Sequence, residues 1–241
     1  MFPREAIDCK YKNIAREYGI HLEIMYGSQF PQMQKVEKIG ESYIIKLNAD
    51  QIDQADYEEY LSYNVRTIIL PRLRLETERL LIRPFEGSDA QEYLAFFSEQ
   101  DARLDSGDIY NSMDEEYERL MEEFLTQTRY TLVEKETGHI VGTIHLMEAA
   151  DRAVETMEIG YSISPAHRRR EYAYESLSVL LRCLLYDLNL DMVIAGAFPD
   201  NVPSLELIKK LGFQYEGSKH KAFWNNLRGP MDLQYYYLEK P

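Results

Sequence analysis

The stretch from residue 155 to residue 190 constrains the fold most, because a strand, a basic loop and a long helix follow one another there without a linker. Residues 155–163 have the pattern of a strand, residues 164–171 that of a loop, and residues 172–189 that of a helix. Six leucines form an apolar stripe on this helix: Leu177, Leu180, Leu181, Leu184, Leu185 and Leu188. Such a helix needs an apolar surface to cover, so the segment favours a sheet with helices packed against it.

Further strands and helices are predicted throughout residues 73–241, in the order strand, two helices, three strands, helix, strand, helix and hairpin. The predicted strands span residues 75–85, 130–134, 139–148, 155–163 and 192–198, and the closing hairpin spans residues 213–238. Two helices are predicted to begin at capping boxes, Ser88 with Gln91 and Ser112 with Glu115, and another spans residues 203–211. This order predicts an α/β (α+β) fold, a mixed, mostly antiparallel twisted sheet flanked by helices.

Residues 1–72 are predicted to form a separate, small α+β unit, with residues 73–241 as the main domain. The unit has helix patterns at 4–18 and 53–63 and strand patterns at 20–26 and 41–47. Residues 66–75 are predicted to be extended, because Pro71 disfavours a helix. No motif in this unit points to chemistry, so we expect a packing appendage or one that builds a homodimer.

The charge of the chain limits its partners. The formal net charge is −14, and residues 86–123 hold 13 acidic and two basic residues. An acid excess of this size repels a phosphate backbone, which argues against nucleic acid as a partner. Cys9 and Cys183 give no disulfide framework, the histidines have no metal-site spacing, and no apolar run approaches the ~20 residues of a membrane helix. We therefore expect a cytoplasmic protein without a metal or a membrane segment.

The loop before the long helix is the first candidate site. It contains His167, Arg168, Arg169 and Arg170. A helix N-terminus presents unpaired N–H groups and the positive end of a dipole, so three arginines beside it indicate an anion site. A solvated basic loop that pairs with surface acids is the alternative.

A second candidate lies in residues 201–213, NVPSLELIKKLGF. Gly212 is typical of a helix C-cap, and Phe213 of the first core residue of the next strand. Asn201 and Ser204 can be explained either as caps of the helix start or as polar groups of a site.

Together these residues resemble the GNAT acyltransferase superfamily, in particular its RimJ/RimL-like branch. The resemblance covers about residues 75–241 and rests on ordered motifs: LETERLLIRPF (75–85), EIGYSISPAHR (158–168), NVPSLELIKKLGF (201–213), and Asp232 followed by Tyr235–Tyr237. It implies a GNAT-like fold whose sheet opens between the strands at 155–163 and 192–198. It does not extend to residues 1–72.

The resemblance implies acetyl-CoA as cosubstrate, bound in that opening. The implied cofactor-binding residues are Tyr161, Ser162, Ile163, Arg168, Arg169, Arg170, Glu171, Tyr172, Ala173, Asn201 and Ser204. The family's pyrophosphate loop has an Arg/Gln-x-x-Gly-x-Gly/Ala pattern, in which Arg168 and Ala173 match but Glu171 replaces the central glycine. An alternative is therefore a catalytically weakened or inactive module of the same fold that binds or regulates.

The reaction implied is direct acetyl transfer to a primary amine, either a small cationic amine or a protein N-terminus. Glu158 is the candidate base and Ser204 the candidate proton donor to the leaving thiolate, because the family's usual tyrosine is here Ile208. A solvated strand carboxylate and a helix cap are the respective alternatives. The resemblance places the acidic stretch 86–123 at the edge of the acceptor site, where Asp101, Asp105, Asp108, Glu115 and Glu116 would attract an amine. An ordinary solvated helix face is the alternative. Trp224, predicted in the loop before the last strand, would line this site or pack in the core.

Overall fold

The computed structural model describes residues 4–30, 36–48, 52–97, 114, 117–118, 121–122, 129–149, 151–225 and 227–240. They belong to two compact units, Met1–Leu73 with Asp187–Asn189, and Arg74–Tyr186 with Leu190–Pro241. No helix in the described ranges is both long and apolar enough to cross a membrane.

The first unit is a three-stranded sheet with two helices. Its elements are α1 (Arg4–Glu17), β1 (His21–Tyr26), β2 (Glu37–Ile39), β3 (Ser42–Leu47) and α2 (Gln54–Ile69). The central strand β3 is parallel to β1 and antiparallel to β2. The short strand β2 is not predicted from the sequence, because three residues are too few to show an alternating pattern.

The predicted extended segment at residues 66–75 is wrong in its first half. Helix α2 continues to Ile69, and Leu70–Arg72 form a short 3-10 helix. Val65, Ile68 and Ile69 are all buried, at the helical spacing set by Leu61. The burial of this face outweighs the strand preference of β-branched residues, and Pro71 stands in the first turn of the 3-10 helix, where proline is tolerated.

The second unit contains the remaining elements. Its strands are β4 (Leu75–Glu76), β5 (Leu80–Pro84), β6 (Arg129–Glu134), β7 (Ile140–Glu148), β8 (Thr156–Ile163), β9 (Met192–Ala197), β10 (Gln214–Asn225) and β11 (Gly229–Glu239). Within the continuously described ranges its helices are α3 (Ala90–Phe97), α4 (Tyr172–Arg182), which continues as a π-helical turn (Cys183–Asp187), and α5 (Val202–Lys210).

The strands of this unit form one sheet in the order β10-β11-β9-β8-β7-β6-β5-β4. The pair β8–β9 is parallel, and the other neighbours are antiparallel. The predicted mixed, mostly antiparallel sheet flanked by helices is confirmed. The leucine stripe is also confirmed, since all six of its leucines are buried.

The predicted capping box of Ser88 with Gln91 is wrong. The box is formed by Glu86 and Asp89, around a 3-10 turn that precedes α3. The Asp89 carboxylate accepts the Glu86 N–H at 2.8 Å and is held by Arg83 at 2.7 Å. The ion pair with Arg83 commits Asp89 to this role, so the helix starts later than the serine suggests. The second predicted box, Ser112 with Glu115, lies outside the described residues.

Candidate active site

The main sheet opens between β8 and β9. The two strands pair from Thr156 with Met192 to Ile159 with Ala195. Beyond these pairs β8 continues to Ile163 and β9 to Ala197, and no further pairing joins these two fully described strands. The last residues of β8, after Ile159, therefore have no strand partner on the β9 side.

The backbone groups that face the opening are those of Tyr161 and Ile163. The Ser164 N–H donates to the Val141 carbonyl near the start of β7, at 2.9 Å. Because successive residues of a strand direct their N–H and C=O groups to opposite neighbours, Ser162 also faces β7, and Tyr161 and Ile163 face away from it. The opening is thus bordered by hydrogen-bonding groups of these two residues.

A cavity of about 780 Å³ lies beside the end of β8. It is lined by Tyr161–Ile163, the loop before α4, the first turn of α4 and one face of α5. The lining includes every predicted cofactor-binding residue except Arg170: Tyr161, Ser162, Ile163, Arg168, Arg169, Glu171, Tyr172, Ala173, Asn201 and Ser204. The cavity thereby brings together one strand end, one loop and two helix starts that are distant in sequence.

The three arginines of the loop have different surroundings. Arg168 and Arg169 line the cavity, and the Arg168 Nε donates to the Ile163 carbonyl at 3.3 Å. Arg170 instead places its guanidinium 3.8 Å from the Glu134 carboxylate. Two of the three arginines therefore lie on the cavity side.

Glu171, at the position of the central glycine of the family's loop pattern, adopts a left-handed backbone conformation. Its φ of 65° and ψ of 10° are left-handed, a region that residues with a Cβ rarely occupy. Its side chain does not cap α4 but pairs with the ammonium of Lys210 at the end of α5. A left-handed residue followed by a helical one turns successive N–H groups toward one concavity, which is a common anion-binding arrangement. The carboxylate is thus paired with a cation, and the N-terminus of α4 remains without a side-chain cap from Glu171.

The loop is held in place from behind by Arg79 and Glu175. Arg79 donates from Nε to the Glu175 carboxylate at 2.8 Å and from Nη2 to the Arg170 carbonyl at 2.9 Å. Its guanidinium lies 4.6 Å from the centroid of the Tyr172 ring. Burial raises the pKa of Glu175, but hydrogen bonds from Thr77 and Arg79 outweigh it and lower that pKa below its ordinary value. A charged Glu175 therefore ties α4 and the loop to the turn that precedes β5.

At the start of α5, Asn201 and Ser204 are structurally linked. The Asn201 Oδ1 accepts the Ser204 N–H at 3.3 Å, so Asn201 is the N-cap of α5. The Ser204 Oγ lies 2.8 Å from the Tyr161 hydroxyl. Burial raises the pKa of Tyr161 to about 12. Ile208, at the position of the family's usual tyrosine, is 1% exposed and contributes no polar group to the cavity.

Glu158 lies on the other face of β8. Side chains alternate along a strand, so Glu158 and Tyr161 point to opposite faces. A Cβ placed on Gly196 would lie 3.4 Å both from the Glu158 Oε1 and from the Tyr235 ring, which puts these two side chains beside the open end of β9. Burial raises the pKa of Glu158, with Lys219 and Arg152 acting in the opposite direction. Ser204 lines the cavity and Glu158 does not, so the two predicted catalytic residues lie on opposite sides of β8.

A small charged cluster surrounds Glu158. The Lys219 ammonium lies 3.7 Å from the Asp151 carboxylate and 4.6 Å from the centroid of the Tyr235 ring. Arg152 pairs with the Glu216 carboxylate, at 2.8 Å through its Nη2. This face of the opening therefore accommodates an ammonium group between a carboxylate and an aromatic ring.

The predicted acceptor residues are only partly placed. Asp101, Asp105, Asp108, Glu115 and Glu116 lie outside the described residues. Trp224 belongs to β10 rather than to a loop, and it is 67% exposed, so the alternative that it packs in the core is wrong. In the described part of the chain, no group of three or more His, Cys, Asp or Glu side chains is arranged to hold a metal ion.

Sequence reasoning missed several residues of the cavity. Tyr174, Asp200, Glu206 and Lys210 also line it, and so does His167 of the basic loop named above. The spacing of Pro203, Leu207 and Lys210 by three or four residues is a signal that could have placed them on one face of α5. The Tyr161–Ser204 contact joins residues 43 positions apart, and no local pattern indicates it.

Comparison with known proteins identifies the domain. Residues 79–214 match the sequence family described as the Acetyltransferase (GNAT) domain. The uncharacterized N-acetyltransferase YoaA of Bacillus subtilis is 30% identical over 174 residues, which cover 69% of this chain and 97% of that protein. The ribosomal protein uS5-alanine N-acetyltransferase of Escherichia coli is 23% identical over 158 residues, which cover 61% and 81%.

Solved structures share the fold. A GNAT-family acetyltransferase from Bacillus anthracis aligns with a TM-score of 0.63 and 23% identity, covering 69% of this chain and 98% of that one. The spermidine N-acetyltransferase from Vibrio cholerae, in complex with CoA and spermine, aligns with a TM-score of 0.59 and 19% identity, covering 68% and 96%. The opened sheet, the matched domain over more than half of the sequence and these relatives agree, and the chain belongs to the GNAT acetyltransferase family.

Proposed function

We propose that this N-acetyltransferase moves the acetyl group of acetyl-CoA directly onto a primary amine, with both substrates bound together. The observation that carries the proposal is the open end of β8. Tyr161–Ile163 line the cavity there, and Glu158 lies on the opposite face of the same strand. The two faces give separate approaches for the acyl donor and for the amine.

The donor groups of the cavity suit acetyl-CoA, which supplies an activated thioester when bound. Arg168, Arg169 and the uncapped N-terminus of α4 offer positive charge and N–H groups to a pyrophosphate. The pairing of Glu171 with Lys210 offsets the negative charge beside that place. These contacts support binding and do not favour the alternative of an inactive binding or regulatory module.

The residues around the opening have distinct roles in this proposal. Glu158 removes the proton of the attacking amine, directly or through water, and its raised pKa brings it closer to that of an effective base. The N–H groups of Tyr161 and Ile163 are placed to donate to the acetyl carbonyl oxygen as negative charge develops on it. Ser204 supplies the proton that the leaving sulfur requires.

The acceptor that fits best is a cationic primary amine, either a small molecule or a protein N-terminus. The position of the Lys219 ammonium, between Asp151 and the Tyr235 ring, supports this class because it shows what the Glu158 face tolerates. Relatives named for spermidine and for the alanine of ribosomal protein uS5 act on amines of these two kinds.

Calorimetric titration with acetyl-CoA tests the first step, and we expect saturable binding. Thiol release is then measured with spermidine and with a peptide that begins with alanine as acceptors. Absence of acetyl-CoA binding at millimolar ligand would refute the proposal.

Glu158→Gln tests the base. We expect kcat to fall about a hundredfold, with loss of the limb in which the rate rises with pH through the Glu158 pKa. Because burial raises that pKa, the wild-type limb lies at higher pH than an ordinary carboxyl group would give. Glu136→Gln is the control, since Glu136 is exposed in the β6–β7 turn. Equal kcat values for the two variants would show that Glu158 is not the base.

A further inference from the structure

The hydroxyl groups of Tyr161 and Ser204 contact each other, and the role proposed for the Tyr161 N–H does not involve this contact. The Tyr161 hydroxyl lies 2.8 Å from the Ser204 Oγ and 3.4 Å from the Ser204 carbonyl oxygen. Both residues line the cavity, one from β8 and the other from α5. Their contact is a hydrogen bond between the strand and the helix.

Ser204 alone is a poorly directed proton donor. A serine near a helix start commonly bonds back to nearby backbone groups. Here its own N–H is already bonded to the Asn201 side chain at 3.3 Å. A hydroxyl group carries one proton, so the direction of the Tyr161–Ser204 bond decides where the Ser204 proton points.

The surroundings favour Tyr161 as the donor in this pair. The phenol carries one proton, and the Ser204 Oγ at 2.8 Å is a nearer acceptor for it than the Ser204 carbonyl oxygen at 3.4 Å. The pKa of Tyr161, raised by burial to about 12, keeps the phenol protonated at neutral pH. When Tyr161 donates, the Ser204 proton is left for another acceptor in the cavity.

We propose that Tyr161 is a positioning residue, whose hydroxyl donates to Ser204 and thereby directs the Ser204 proton to the sulfur that leaves during acetyl transfer. The inference rests on the proposed function. In this step the amine nitrogen bonds to the acetyl carbon and the carbon–sulfur bond breaks. The amine enters the step neutral and its nitrogen becomes an ammonium on attack; that proton passes to Glu158 and from there to solvent, the sulfur takes the Ser204 proton, and Ser204 regains a proton from solvent.

Variants Tyr161→Phe, Ser204→Ala and the double variant test the inference. We expect Tyr161→Phe to lower kcat about tenfold, the effect of one hydrogen bond, with the Kd for CoA changed less than about twofold. Ser204→Ala should lower kcat at least as much. Adding Tyr161→Phe to Ser204→Ala should cause no further loss, because Tyr161 acts through Ser204. Ser204→Thr retains a hydroxyl and should recover part of the rate.

Tyr215→Phe is the matched control. Tyr215 and Ser218 form another tyrosine–serine hydroxyl pair at 2.8 Å, on β10 and outside the cavity lining. This variant should retain the wild-type kcat. Thermal unfolding of each variant separates a loss of rate from a loss of folding.

Three results would overturn the inference: an unchanged kcat in Tyr161→Phe, losses that multiply in the double variant, or a full rate in Ser204→Ala. In the last case with a slow Tyr161→Phe, Tyr161 itself would be the proton donor. A wild-type chain that binds no acetyl-CoA would instead refute the proposed function.

Discussion

Glycine and alanine at position 171 distinguish backbone strain from charge at the start of α4. Both replacements remove the Glu171 carboxylate and its pairing with Lys210. Only alanine keeps the Cβ that makes a φ of 65° unfavourable. The difference in stability between the two variants therefore isolates the left-handed backbone.

The expected difference favours glycine. A residue with a Cβ pays about 1–2 kcal/mol in the left-handed region, whereas glycine costs about 0.4–1 kcal/mol through the larger entropy of the unfolded chain. The free energy of unfolding of Glu171→Gly should thus exceed that of Glu171→Ala by about 1 kcal/mol. In a chain of this length that corresponds to about 2–4 °C in Tm. An alanine variant as stable as the glycine variant, or more so, would refute the left-handed assignment.

The same position tests how charge acts on the cavity. Glu171→Gln removes the charge and keeps the size of the side chain, and we expect the Kd for CoA to fall about two- to fivefold in low salt. Glu171→Gly should bind at least as tightly, because glycine also lets the backbone approach a phosphate closely. Calorimetry with CoA measures both, and weaker binding by Glu171→Gln would contradict the proposed position of the pyrophosphate.

Two further variants test the frame around the opening. Arg79→Gln loses the ion pair with Glu175 and the hydrogen bond to the Arg170 carbonyl of the loop. Calorimetry should therefore show the Kd for CoA raised about tenfold, with kcat at saturation retained. An unchanged Kd would show that CoA binding does not depend on this support of the loop. Gly142→Ala should lower the free energy of unfolding by about 1–3 kcal/mol, because its Cβ would lie 2.4 Å from the Ser162 carbonyl oxygen. Gly160→Ala, whose Cβ would meet nothing closer than 3.8 Å, is the comparison in urea unfolding, and equal losses would contradict the close approach of β7 to β8.

Much of the main domain could be predicted from local pattern. The leucine stripe of α4 and the strand and helix on either side of the basic loop depend on residues close in sequence, and the structure places them as expected. The start of α3 was misplaced because Arg83, from the preceding strand, selects Asp89 as the capping residue. Such a choice depends on a contact that propensity does not contain.

The candidate site was predictable to a smaller extent. The cavity residues were found because a resemblance linked separate motifs, whereas the conformation of Glu171 and its pairing with Lys210 arise from the packing of α4 beside α5. The Tyr161–Ser204 bond depends likewise on where β8 ends relative to α5. Tertiary geometry, rather than the identity of any residue, determines these features.

The opposite orientation of Glu158 and Tyr161 depends on the number of residues between them. Three positions separate them, and an odd separation is what sends one side chain to each face of β8. Inserting or deleting one residue between them would bring Glu158 and the Tyr161 hydroxyl to the same face, even with every side chain of the candidate site retained. Length changes in this strand are therefore more damaging to such an enzyme than most substitutions, and homologous chains that conserve the reaction should vary in the loops before residue 156 and after residue 163 rather than within the strand.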